Sequence, residues 1–539
     1  MSHTSRLGKW AFAGVLSIAT SACFADPSDL VPPRRSLYFP TALVVSPGRT
    51  TLYVVNSDFD LQYNGGTVQS VNLVDVDGQP GLRSTAELLA TAIEQGLDPE
   101  AACATIGSRP NNSETLHPGP CEPIQFQPFV RDFATIGAFA NAAAIDTRED
   151  GKPGARLFVS VRGDPSITYF DIPDDRDPAA IVSPCDGAFC LDCSGEGDEK
   201  RCARKNQIGE NVFTSQRGLL LPTEPSGVDV QPDLRSDAVV VAHQTTGTAS
   251  LVVNHWPSSG DDSLFESTPS LEFLLDGLAD GPSAVLRIPP PAVAFQPGVG
   301  YQPGFIISHR AAASLTVVRY VDDAGATPPR PFLTHADDVS ISVAGDNSDM
   351  RGMAFDTTNR AACENLCGDT ASAACLSACA ENNPVPFYVA SRAPASLVIG
   401  ELTTTTVSEN GTPTGVRENI TFDESVSMPL GAAAVAVAKV IAADGSLETR
   451  VFVVSFDSRF VTIYDPRLHR VEAQIRTGRG PGAIAFDVGP DDSGVLRSYM
   501  YLAHFTDSYL SVVDLDTRRI TYGTTMFSAG PPVAPREEQ

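Results

Sequence analysis

One unit recurs along the hydropathy pattern. A small or Pro/Gly residue opens a short alternating strand, a nearly continuous apolar strand follows, and a third strand alternates strictly between apolar and polar positions. First strands read Pro40-Thr41-Ala42-Leu43-Val44-Val45, Pro225-Ser226-Gly227-Val228-Asp229-Val230, Pro291-Ala292-Val293-Ala294-Phe295, Arg351 to Phe355, Gly431 to Val437 and Pro481 to Phe486, with a weaker copy near Ala138 to Ile145. Second strands open at Leu52, Leu157, Val239, Phe305, Phe387, Phe452 and Tyr501, and third strands at Thr67, Ser166, Ser250, Ser314, Ser396, Phe460 and Tyr509. A fourth strand is plain only late, as Val471 to Ile475 and Ile520 to Thr525.

Period-two alternation broken by Gly, Pro, Asn and Asp reads as antiparallel meanders. Seven meanders are too many for one open sheet. Radial packing buries both faces of every sheet and leaves only short edges, so the pattern predicts an all-β, seven-bladed propeller of four-stranded antiparallel sheets. The small residues opening each first strand suit innermost strands crowded around an axis. A parallel β-helix requires coils of equal length, and these units vary widely.

The stretch Val451 to Arg479, with Phe452-Val453-Val454-Ser455 and Val461-Thr462-Ile463-Tyr464-Asp465, leads through Ile475-Arg476-Thr477-Gly478 into Gly480 to Phe486. It resembles the YVTN-type β-propeller repeat, as does Tyr501 to Asp514 and, more loosely, Leu52 to Leu73. The Trp-Asp dipeptide of WD40 blades is missing. With only Trp10 and Trp256 present, so are the Trp-rich docking motifs of quinone-cofactor propellers. The resemblance implies the fold and an extracytoplasmic setting, and no particular reaction.

Residues 1–22 read as an export signal, with Arg6 and Lys9 before an apolar stretch from Trp10 to Ile18 too short to span a bilayer. Thr20-Ser21-Ala22-Cys23 looks like a lipoprotein cleavage site, although Thr20 stands where that family usually has Leu. It predicts a lipid on Cys23, and Phe24 in place of Asp points to the bacterial outer membrane, on its periplasmic or surface face. A tether over 23–36, a propeller over 37–528 and a tail over 529–539 complete the expected organisation. Insertions are expected at about 83–130, where Ser84-x-x-Glu87 reads as a capping box, and at 174–220 and 359–384.

Ten further cysteines, an even number in three clusters, fit an oxidising compartment. They are Cys103 with Cys121; Cys185, Cys190, Cys193 and Cys202; and Cys363, Cys367, Cys375 and Cys379. In the last cluster, two x3 spacings put each pair one helical turn apart. This predicts two antiparallel helices joined near Gly368-Asp369 and stapled from Cys363 to Cys379 and from Cys367 to Cys375. The middle cluster suits two disulfides of open pairing, or zinc.

With 38 Lys+Arg against 65 Asp+Glu, a net charge of −27 and no basic run, nucleic acid is excluded as a partner. Against that background, the residues after the second strands stand out: Arg162, His243, His309 with Arg310, and Arg392. Blade entries add Arg351 and Arg479. In a propeller both sets of loops ring one mouth of the axial channel, so these residues predict an anion-receiving funnel, Arg offering a planar fork for carboxylate or phosphate. Asp58, Asp164, Asp457 and Asp507 lie on the same loops and can neutralise these cations pairwise. His243, His309 and His504 lack short metal-ligand spacing, and no metal or cofactor set is read. There is no Gly-x-Ser-x-Gly elbow, His-Glu-x-x-His or Walker loop. The expectation is a binding or scaffolding module for an envelope protein, glycan or small anion. The alternative is a hydrolase or lyase, lactonase-like, assembled in the funnel.

Overall fold

The computed structural model describes residues 30–530 apart from 113–116, 150–151, 178, 214, 233–236, 257–266, 324, 343–348, 369–371 and 492–493. The signal segment and Cys23 lie outside the described residues, as does Asp369 in the expected hairpin turn. Seven four-stranded antiparallel sheets form a ring, each sheet built from strands consecutive in sequence. The innermost strands are Pro40–Val45, Ala140–Thr147, Pro225–Gln231, Pro282–Arg287, Met350–Phe355, Ala432–Ile441 and Pro481–Pro490. Each meets the next, and the last meets the first.

Several second and third strands are buried along their whole length, as in Asp237–His243 and Thr248–Asn254, because a neighbouring blade covers each face. The apolar clusters accordingly lie between blades: Tyr53, Val55 and Val68 of blade one pack with Leu157, Val159 and Phe170 of blade two. Each such side chain contributes roughly 1.5–3 kcal/mol on leaving water.

Near the start of every innermost strand a bulge shifts its register with the second strand. There the chain approaches the adjacent blade so closely that two positions require glycine. A Cβ on Gly227 would stand 2.5 Å from the Ser283 carbonyl oxygen, and one on Gly352 would stand 2.6 Å from the Val435 nitrogen. Side chains bond across the same seams: Thr41 Oγ1 to the Ala140 carbonyl at 3.0 Å, Asn141 Nδ2 to that of Ser226 at 2.6 Å, and Ser226 Oγ to that of Pro282 at 3.1 Å.

Three local expectations are corrected. The first strand of blade four is Pro282–Arg287; Ala292–Phe295 is a 3-10 turn. Pro282-Ser283-Ala284 carries the same opening signature, and Pro289-Pro290-Pro291 ends the strand because proline supplies no ladder N–H. The last strand of blade seven is Thr525–Ala529, not Ile520 to Thr525, with Ile520 exposed on the preceding turn. The first insertion's helix, Leu82–Glu94, begins before the supposed cap Ser84, at an N-cap on Gly81. A Cβ at Gly81 would stand 2.4 Å from the Leu73 carbonyl oxygen, so the chain can turn that tightly only at glycine.

That insertion closes the ring. Its helix lays Ala86, Leu89 and Ile93 in one cluster with Tyr499, Met526 and Phe527 of blade seven. Beyond the Cys103–Cys121 disulfide, Ile124 pairs with blade seven's outer strand: its N–H donates to the Ser528 carbonyl at 2.9 Å, and its carbonyl accepts from Gly530 at 2.8 Å. Deeper in the seam, Asp487 of blade seven accepts Arg49 Nε at 2.6 Å and Arg83 at 2.9 Å. The middle insertion carries Cys185–Cys190 and Cys193–Cys202. In the third, helices Thr358–Leu366 and Ala373–Asn382 are joined by Cys363–Cys379 and Cys367–Cys375, the rungs that the spacing predicts. Leu376 and Ala380 of this hairpin pack on Val293 of the 3-10 turn.

Candidate functional site

A single backbone hydrogen bond builds the channel mouth seven times. In every blade the residue after the second strand donates its N–H to the carbonyl of the residue before the first strand. The pairs are Ser57 to Phe39, Arg162 to Phe139, Gln244 to Glu224, Arg310 to Gly281, Arg392 to Asp349, Phe456 to Gly431, and Phe505 to Gly480, at 2.7–3.3 Å. The entry residue is left-handed in six blades. Glycine takes that backbone freely at 281, 431 and 480. Phe39 (φ 49°), Phe139 (φ 57°) and Glu224 (φ 53°) take it at a cost of about 1–2 kcal/mol each. Three side chains are thus placed at the mouth against backbone preference.

The predicted arginines are at this mouth, and most are engaged. Arg351 forms a fork on Asp349 at 2.5 and 2.7 Å. Arg392 bonds both oxygens of Asp457, at 3.1 and 3.0 Å. Arg162 meets Glu224 at 3.1 Å, and Arg479 pairs with Asp507. Asp457 and Asp507 therefore neutralise cations as their loop positions allow, whereas Asp58 and Asp164 form no such pair among the described residues. Glu224 and Asp349 were not anticipated as partners; both occupy or adjoin blade-entry positions, and reading that position across all seven repeats exposes them.

Arg310 differs. Its ion-pair carboxylate, Asp349, is 3.8 Å away and already forked by Arg351. Burial, then Arg351, and with them Arg392 and Arg162, hold its guanidinium below the usual arginine pKa, with Asp349 opposing. The Arg162 Nε is also buried without a hydrogen-bond partner. Among the described residues Arg162, Arg310, Arg351 and Arg392 pair with Glu224, Asp349 and Asp457, so that Arg310 and Arg351 share one carboxylate.

The histidines are elsewhere. His243 and His309 end second strands but are fully buried, not open to the mouth. Their Nε2 atoms share hydrogen bonds with Ser250 (2.7 Å) and Thr316 (2.9 Å), and His504 repeats the arrangement with Ser511 at 3.0 Å. Burial holds the imidazoles neutral, pushing His243 down to about 4 and His504 to about 3. They are hydroxyl-bonded core residues, with their charge suppressed by desolvation.

An arc of phenylalanines was missed. Phe59 lies 6.0 Å from Phe39, 5.8 Å from Phe139 and 5.2 Å from Phe505, and Phe456 continues the arc at 6.3 Å from Phe505. Blades six, seven, one and two thus present aromatic rings, with the Arg479–Asp507 pair among them, where blades two to five present Arg162, Arg310, Arg351 and Arg392. The signal was available: Phe456 and Phe505 hold the same repeat position as Arg162, Arg310 and Arg392. Asp58, next to Phe59 in the chain, is 1% exposed, and burial pushes its carboxyl up to about 7.

No family model and no curated protein matches this chain. Among solved structures it is similar to the Kuenenia stuttgartiensis hydrazine synthase, at 12% identity over 89% of this chain and 96% of that one, TM-score 0.39. It is also similar to Saccharomyces cerevisiae Sqt1, at 7% identity over 89% and 97% of the two chains, TM-score 0.41.

Proposed function

We propose that this propeller is an exported, lipid-anchored binding module that takes a small anion at its channel mouth. Arg310 carries the reading: a partly buried guanidinium beside three others, whose ion-pair carboxylate among the described residues is shared and 3.8 Å away, is placed to take an anion. Export is supported by the signal pattern ending at Cys23 and by ten cysteines joined in five disulfides. The repeat pattern of blades six and seven supports YVTN-type ancestry, and Phe24 supports the outer membrane.

Titration calorimetry of the full chain with acetate and with phosphate tests the mouth. Binding by the native protein and its loss in Arg310→Gln supports the reading; equal heats from the two proteins reject it. Labelling with radioactive palmitate tests the anchor, and retained label in Cys23→Ser rejects lipidation at that residue.

A further inference from the structure

We propose that the mouth binds an aromatic monocarboxylate, its ring against the phenylalanine arc and its carboxylate on Arg310. This rests on the anion-binding reading above and supplies the other half of the ligand. The two arcs are continuous at both ends. At blade two the Phe139 carbonyl accepts the Arg162 N–H, and at blade six Phe456 immediately precedes Asp457, which holds Arg392. Phe59 meets Phe139 of blade two at 5.8 Å, and Arg162 of that same blade is among the cations that act on Arg310.

Phe59 is 52% exposed although three other rings surround it, and its edge-on contacts with Phe139 and Phe505 leave ring surface facing solvent. An aromatic ring completes such a cluster through the offset and edge-to-face geometries that aromatic quadrupoles favour. Phe39 and Phe139 occupy left-handed backbone where glycine serves in other blades, so the rings stand at the mouth despite local strain. On the opposite arc, four guanidiniums share three carboxylates among the described residues, so a ligand's single negative charge fits beside Arg310. An inorganic anion leaves the rings uncovered, and a neutral apolar molecule leaves Arg310 unfilled. An aromatic ring bearing a single carboxylate satisfies both.

Three probes separate the halves: phenylacetate, acetate and phenylethanol, titrated into the full chain at constant ionic strength. Phenylacetate is expected to bind at least about tenfold more tightly than either of the others, each arc adding its share. Phe59→Ala should lower phenylacetate to the level of acetate, and Arg310→Gln should lower it to that of phenylethanol. Acetate binding as tightly as phenylacetate overturns this inference and leaves the anion site standing. Phenylethanol matching phenylacetate, or no binding by any probe, overturns both. Should either variant fail to fold, the three probes on the native protein still decide.

Discussion

Glu87, on the helix inserted in blade one, accepts Arg519 of blade seven at 3.2 Å, across 432 residues of sequence. The same carboxylate takes Arg497 at 3.1 Å and the Tyr499 hydroxyl, and Arg519 also reaches Glu94 at 2.7 Å. Burial disfavours the Arg519 charge, yet Tyr499, Asp514 and Glu87 together raise its pKa above the usual arginine value. Among the described residues each blade is built from consecutive strands, with no strand exchange to tie the ring shut; this network, the Asp487 pairs and the Ile124 pairing do so. Arg519→Ala removes the ion-pair partner of the buried Asp514 and one of the two cations on Glu87, and should destabilise by about 3 kcal/mol. Hydrogen exchange should accelerate first in Leu82–Glu94 and Thr525–Ala529. An unchanged denaturation midpoint removes the latch from the account.

The latch has a covalent part. Cys103–Cys121 closes a separation of 18 residues, a span whose chain entropy corresponds to about 3 kcal/mol. The double variant Cys103→Ser/Cys121→Ser should lose stability of that order and admit protease cleavage between these positions. Resistance equal to that of the native chain argues against a load on this bridge.

Crowding around the axis makes a graded prediction among glycines. Gly227→Ala and Gly352→Ala place a Cβ within 2.5–2.6 Å of backbone atoms in the next blade, overpacking expected to cost about 1–3 kcal/mol. Gly482→Ala meets nothing closer than 3.9 Å and should change stability by less than about 0.5 kcal/mol. Urea titrations of the three variants test the ranking, and equal effects contradict the close approach of innermost strands.

Stability should respond to pH in two opposite directions at identified residues. His504 titrates at about 3 in the fold, down from 6.5, through burial. Its stability contribution is fully present above pH 6.5 and is lost progressively as pH falls towards 3, because only the unfolded chain takes the proton. His504→Gln should flatten that acid limb. Asp58 titrates at about 7, up from 3.8, through burial. Ionising it in the fold is unfavourable, so stability falls as pH rises from about 4 through about 7. Asp58→Asn should unfold at a higher temperature than the native protein above pH 7 and show no such advantage near pH 4. Parallel melting curves for variant and native protein across this range sink either assignment.

What the sequence determined is the part governed by neighbours along the chain. Alternating and apolar runs set which stretches become strands, Pro and small residues marked where innermost strands begin, and the x3 cysteine spacings fixed the hairpin's rungs, because these constraints act within one strand or one helical turn. Even so, Pro291 to Phe295 carries the opening signature of an innermost strand and forms a 3-10 turn, the blade-four strand being Pro282–Arg287. What only the tertiary structure decided joins residues hundreds of positions apart: Asp487 with Arg49 and Arg83, Glu87 with Arg519, and Phe59 with Phe505. The mouth belongs to this second class. Whether Arg392 is neutralised depends on Asp457, a blade away, and whether His309 is open or buried depends on the packing of whole blades, information carried by the circular arrangement and by no local pattern.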